Sequence, residues 1–172
     1  CDVALAVLLY VLLRPVSRVL ALVATAFRLV QTAVLALNLL NYHAAALLLG
    51  GGGYAESLGT QQVNALSYFF LELHGHGYDL GLLLFGLHCM LLGYLVFRSG
   101  YLPRALGVLM VAASLTYLTG SYTRFLFPAR LPAIAPIYIV AFISELALCL
   151  WLLVKGVDVE IWKARVAGEP AG

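Results

Sequence analysis

The sequence predicts an all-α protein: a polytopic transmembrane helical bundle with four full spans, a partial first span and an interfacial helix. Three observations predict it. Of the 172 residues, 63% are hydrophobic and 10% charged, whereas a soluble domain carries roughly 25% charged residues. Mean hydropathy is +0.99. The apolar residues form long runs rather than the short alternating segments of a membrane barrel. The net charge of +2 comes without an Arg-rich arm, so no nucleic-acid partner is expected. The lipid bilayer is the expected partner, with a membrane protein or a second copy as further candidates. Cys1, Cys89 and Cys149 are scattered, two of them inside apolar runs. Cysteine there is a small packing residue, so neither a disulfide framework nor a cysteine metal site is expected.

The first apolar run, Val3–Leu13, has about 11 residues where a span needs roughly 20. It lacks the basic start and small-residue cleavage site of a signal peptide. It reads as the second half of a span in an N-terminally truncated chain. A lipoprotein with a lipidated Cys1 is the rival reading, which acidic Asp2 and the immediate apolar run suit poorly. Arg14, Pro15 and Arg18 form a basic turn, and the second span covers about 19–40. Asn41–His43 and more apolar sequence carry it to Gly50–Gly53, a flexible break with no following Lys-Ser/Thr and hence no phosphate loop. Tyr54–His76 holds Glu56 and Glu72 but no Lys or Arg. Within it Val63, Leu66, Phe69, Phe70 and Leu73 recur at helical spacing, which predicts a helix over about 61–73 lying in the interface.

The third span, about 77–97, ends at Arg98. A tight link with Gly100 and Pro103 leads to the fourth, about 105–122. SYTRFLFP (Ser121–Pro128) has the mixture of an interfacial belt. The fifth span covers about 131–154, and a polar tail, 156–172, follows Lys155. The tail is expected to be mobile, with Trp162 and Lys163 touching headgroups. One domain, 1–155, carries all the spans. Arg14 and Arg18, Arg98 and Arg104, and Lys155, Lys163 and Arg165 fall at one end of the bundle. By the positive-inside rule that end, with the tail, is cytoplasmic. The expected location is the bacterial inner membrane.

Four polar groups fall at one depth. Arg28, His88 and Glu145 each lie ten residues from a basic flank (Arg18, Arg98, Lys155), as does Ser114 from Arg104. At 1.5 Å per residue that is about 15 Å, the middle of a core roughly 30 Å thick. Arg28, Gln31 and Asn38 share one face of their helix. Gly77, Gly81 and His88 share a face of the third span, with Gly86 and Gly93 nearly opposite. Small residues on both faces allow close approach on both sides. The ligand- or proton-binding candidates are therefore Arg28, Gln31, Asn38, His88 and Glu145. Three arrangements stay open: an Arg28–Glu145 ion pair with structural hydrogen bonds, a layer lining a cavity, or residues that never meet.

Other chemistry is thinner. His74 and His76 flank Gly75, near Glu72 and Asp79. On a strand or turn, residues two apart can face one metal, so the two are weak metal candidates. His88 with His43 as haem ligands meets a depth mismatch. No cofactor is expected, no catalytic residue is assigned, and no Ser-His-Asp order or H-E-x-x-H occurs.

Four segments carry a family resemblance: LLYVLLRPVSR (Leu8–Arg18), RLVQTAVLALNLL (Arg28–Leu40), GLHCMLLGYLVFRSGYLPRALGVL (Gly86–Leu109) and SYTRFLFP. Together they resemble a family of uncharacterised bacterial integral-membrane proteins catalogued as domain of unknown function 4386. The resemblance implies a multi-pass inner-membrane protein with further membrane sequence ahead of Cys1. It implies no reaction and no assigned site.

Three functions remain in view. One is a non-catalytic membrane component with an accessory, sensor or assembly role. Another is a small transporter or proton-linked permeation protein, with His88 as the titrating group. The third is a membrane enzyme acting on a lipid-soluble substrate, with His88 or Glu145 as acid or base and the 61–73 helix as a lid. A closed, fully paired polar layer favours the first, and a cavity at the layer favours the other two.

Overall fold

A computed structural model describes residues 1–51, 53 and 57–168. It contains helices α1 (Asp2–Leu13), α2 (Arg18–Leu49), α3 (Thr60–Ser99), α4 (Arg104–Leu126), α5 (Tyr138–Val154) and α6 (Val159–Ala167). Short helical turns at Pro128–Arg130, Leu131–Ile134 and Ala135–Ile137 lead into α5. No strand occurs among the described residues. Four helical stretches are long and apolar enough to cross a membrane: α2, α3, α4 and Pro128–Val154. Helix α1 is apolar but has only 12 residues. Tyr54 and Glu56 of the expected outer loop lie outside the described residues, as do Gly52 of the glycine break and 169–172 of the tail.

Each boundary has a local cause. The Ser17 hydroxyl caps α2 by accepting from the Leu20 amide at 3.4 Å. Gly100 ends α3 in the left-handed conformation, with φ 78°, where a side chain is disfavoured. Pro103 then precedes α4 in extended conformation. The Asp158 carboxylate caps α6 by accepting from the Glu160 and Ile161 amides, both at 3.1 Å.

Two expectations change here. The stretch 61–73 is helical but is not a separate helix. It runs unbroken into the third span as one helix of 40 residues, about 60 Å long. Helix α2 likewise continues past Leu40 for a total of 32 residues, about 48 Å. The two extensions pack on each other. Val63 and Ser67 are buried on the stripe that continues at sevenfold spacing through His74, Gly81 and His88. Of the expected apolar stripe Val63 is buried while Leu66, Phe69 and Leu73 stay exposed, and neither Gly75 nor Gly77 interrupts the helix. The tail also differs, because Val159–Ala167 folds and docks. The Leu12 carbonyl at the end of α1 accepts from Tyr101 Oη at 2.6 Å and from Trp162 Nε1 at 3.1 Å. Arg165 donates to the Arg98 carbonyl at 3.1 Å. Burial pushes the Tyr101 hydroxyl up to about 12, against the pull of Arg165, so it remains a donor to Leu12. These bonds tie the three basic segments together at one end of the bundle.

Helix α3 is central, packing on α2 along one side and α4 along the other, with α1 beside α2 and α5 beside α4. Its glycines explain the close approach. A Cβ at Gly77 or Gly81 would meet the Asn38 or Leu35 side chain of α2, while one at Gly86 or Gly93 would meet α4. His88 shares the α2 side, where its ring is 2% exposed.

Candidate functional site

The polar layer is built around an aromatic ring, Phe85. The Arg28 guanidinium lies 5.1 Å from its centroid, a cation–π distance. The His88 ring stacks on it at 5.8 Å, and the Tyr117 ring meets it edge-on at 5.2 Å. The ring therefore stands between the cation of α2 and the acid of α5.

Arg28 and Glu145 do not pair with each other. Arg28 Nη2 bonds Asp2 Oδ1 of α1 at 2.5 Å, while Glu145 accepts from the Tyr117 hydroxyl of α4. The distance along the chain explains the switch. Asp2 lies twelve residues from Arg14, close to the depth count of Arg28, and α1 packs directly on α2. Helix α5 is held away on α4, on the far side of Phe85. The expected Arg28–Glu145 ion pair is thus replaced by two separate systems, Asp2–Arg28 and Tyr117–Glu145.

His88 Nδ1 donates to the Ala24 carbonyl at 2.8 Å, which leaves Nε2 as the acceptor nitrogen of the neutral ring. That atom is buried without a partner, as are Arg28 Nε, Gln31 Oε1 and Ser114 Oγ. Buried polar atoms are normally satisfied, so three orphans at one level, with Gln31 about one turn beyond it, mark the layer as incompletely paired; Ser67 Oγ, outside the layer, is also unpartnered.

Asn38 belongs elsewhere. Its Nδ2 donates to the His74 carbonyl at 2.8 Å, and the His74 ring donates from Nδ1 to the Asn38 carbonyl at 3.2 Å. With Tyr42 packed edge-on at 4.1 Å, these residues clamp the outer part of α2 to α3. His76 instead donates to the Glu72 carbonyl of its own helix and lies beside Phe125 of α4. On a helix, residues two apart point in different directions, so His74 and His76 do not converge on one metal. No cluster of three or more potential metal ligands occurs among the described residues. His43 is exposed and His88 buried, and the two do not form a haem site.

Two cavities reach the layer. One, of about 480 Å³, opens between α1 and α5. Leu5 and Leu9 line one wall, Phe142, Glu145 and Cys149 the other, and Arg28 and Phe85 the base. The second, of about 430 Å³, lies on the other side of Tyr117 and is lined by Tyr78, Asp79, Arg124, Tyr138, Phe142 and Glu145. Both share Phe142 and Glu145. The first extends along α5 to Leu152 and Leu153, toward the basic end, and the second reaches Leu131 near the opposite end. An ion pair between Asp79 and Arg124, at 3.1 Å, stands in the second cavity. Gly75 makes room for Arg124.

The sequence reading missed Asp2, Phe85, Tyr117 and the Asp79–Arg124 pair. Asp2 was findable by counting inward from Arg14, as was done for the other spans. Phe85 and Tyr117 carry no such signal in apolar, aromatic-rich helices.

The family model described as "Domain of unknown function (DUF4386)" matches residues 1–156. The chain belongs to this family. An "Uncharacterized protein" of Archaeoglobus fulgidus is 34% identical over 155 residues, covering 90% of this chain and 76% of the relative. No solved structure matches. The matched span of this family member takes in all five of the layer's charged or hydrogen-bonding centres: Asp2, Arg28, His88, Tyr117 and Glu145. It takes in both cavities as well.

Proposed function

We propose that this DUF4386 member is an integral protein of the cell membrane, non-catalytic, that binds a small polar or amphiphilic ligand at mid-bilayer and passes it along α5. The basic end faces the cytoplasm in this reading, by the positive-inside rule. The ligand reaches the cleft from the bilayer, between α1 and α5. One observation carries the reading: Glu145 lines two cavities, in a polar layer whose buried groups are only partly paired. A layer that served packing alone would be closed and satisfied, because each buried unpaired polar atom costs about 1–3 kcal/mol. The cleft volume also falls within the roughly 300–1,000 Å³ of small-molecule sites. The accessory or assembly role fits the exposed apolar helix faces but gives no account of the cavities.

Cys149 lines the cleft and is exposed, whereas Cys89 is buried. In a Cys1→Ser variant in lipid nanodiscs, N-ethylmaleimide is expected to label Cys149. Dodecanol, dodecylamine or laurate is expected to slow that labelling saturably. Labelling unaffected by all three amphiphiles would overturn the ligand-cleft reading in favour of a purely structural layer.

A further inference from the structure

The charges around the cleft do not cancel. Asp2 and Arg28 neutralise each other. Glu145 has the Tyr117 hydroxyl as its hydrogen-bond donor, and no ion pair among the described residues includes it. The three ionisable groups together carry one excess negative charge when both acids are ionised. In an apolar layer an isolated carboxylate is costly. Its charge is cancelled in one of two ways: by a proton on the carboxyl, or by a cation that comes to it.

We propose, resting on the ligand-cleft reading, that the cleft takes a lipophilic monocation held by the Glu145 carboxylate. The charged centre sits against the Glu145 carboxylate. The apolar groups of the cation lie against Phe142, Leu146 and Leu148 of α5 and Leu9 of α1. Phe142 places an aromatic ring in the cleft wall beside Glu145, and ring faces attract cations. An anionic amphiphile fits less well. The Arg28 charge is already engaged by Asp2, and Glu145 repels the newcomer. A neutral ligand leaves the carboxylate uncompensated.

The neighbours of Glu145 do not supply an alternative cation. From α1 comes Asp2, and from α2 Arg28 in its salt bridge. From α3 come His88, bonded through Nδ1 to Ala24, and the Cys89 thiol. From α4 comes the neutral Tyr117 hydroxyl. Across Glu145, in the second cavity, stand Tyr78 and Tyr138 and the Asp79–Arg124 pair, which is internally compensated.

Tetraphenylphosphonium is a suitable probe, measured by equilibrium dialysis against the protein in nanodiscs. Saturable binding is expected, and the uncharged analogue triphenylphosphine should bind at least tenfold more weakly. Glu145→Gln is expected to lose at least tenfold in affinity for the cation, and Glu145→Asp, which keeps the carboxylate, should retain the preference for the charged probe. Tetraphenylphosphonium binding no better than triphenylphosphine, or Glu145→Gln binding as wild type, would overturn the cation proposal. Protection of Cys149 by the three amphiphiles in the same preparation separates the two readings. If any of them protects, the ligand cleft stands and only the cation class falls; if none does, both fall. Should Glu145→Gln fail to fold, the preference of the wild type and of Glu145→Asp for tetraphenylphosphonium over triphenylphosphine decides.

Discussion

Gly93→Leu is expected to destabilise the protein by about 3 kcal/mol or more, the upper range for overpacking a tight contact. The cause is a backbone-to-backbone crossing of α3 and α4. A Cβ on Gly93 would fall 2.7 Å from the Gly107 carbonyl and 2.9 Å from the Val111 amide nitrogen. On Gly107 it would fall 2.6 Å from the Gly93 carbonyl and 2.7 Å from the Phe97 nitrogen. Neither helix backbone can move aside without separating the pair, and lipid offers no hydrophobic gain to hold them together. Gly81→Ala is the control. Its Cβ would meet only the Leu35 side chain, which can rotate away, so the expected cost is below about 1 kcal/mol. Unfolding of the purified variants in mixed micelles compares the two. Equal losses at Gly93 and Gly81 would mean that the crossing is not the tight contact described.

Asp2→Asn is expected to cost about 2 kcal/mol, between the values for an exposed and a fully buried ion pair. The loss comes mainly from the partner left behind. The Arg28 side chain is 11% exposed and that of Asp2 44%, so an uncompensated Arg28 is the worse orphan. Arg28→Gln should therefore cost less, about 1 kcal/mol, by the same reasoning. The Asp2→Asn, Arg28→Gln double variant should be more stable than the sum of its parts predicts, by about 1–3 kcal/mol, as for groups in direct contact. Additive losses would exclude the pair.

Much of this architecture was legible in the sequence. The spans follow from apolar runs closed by Arg14–Arg18, Arg98–Arg104 and Lys155. The two glycine faces of α3 already implied a central helix with close neighbours. Counting ten residues inward from each flank located Arg28, His88 and Glu145 at one depth. Depth, however, does not fix which helices are adjacent. The order α1, α2, α3, α4, α5 puts Asp2 beside Arg28 and leaves Glu145 across Phe85, and no periodicity in one helix reveals that. The unbroken α3 was hidden for a related reason. Val63 looks like part of the apolar side of a short amphipathic helix until the overshoot of α2 beyond Leu40 supplies a protein surface for it. In the tail, Trp162 and Arg165 dock because Leu12 and Arg98 leave carbonyls free at helix ends, a tertiary feature with no local signature.

The central claim is that the charge of Arg28 is compensated by Asp2, so that Glu145 is left for something other than folding. The most direct measurement is a double-mutant cycle of Arg28→Gln and Glu145→Gln, read as unfolding free energy in lipid. The expected result is additivity within about 0.5 kcal/mol, as for groups that share no partner. A coupling above about 1 kcal/mol would mean that the two charges compensate each other after all, and would contradict the account.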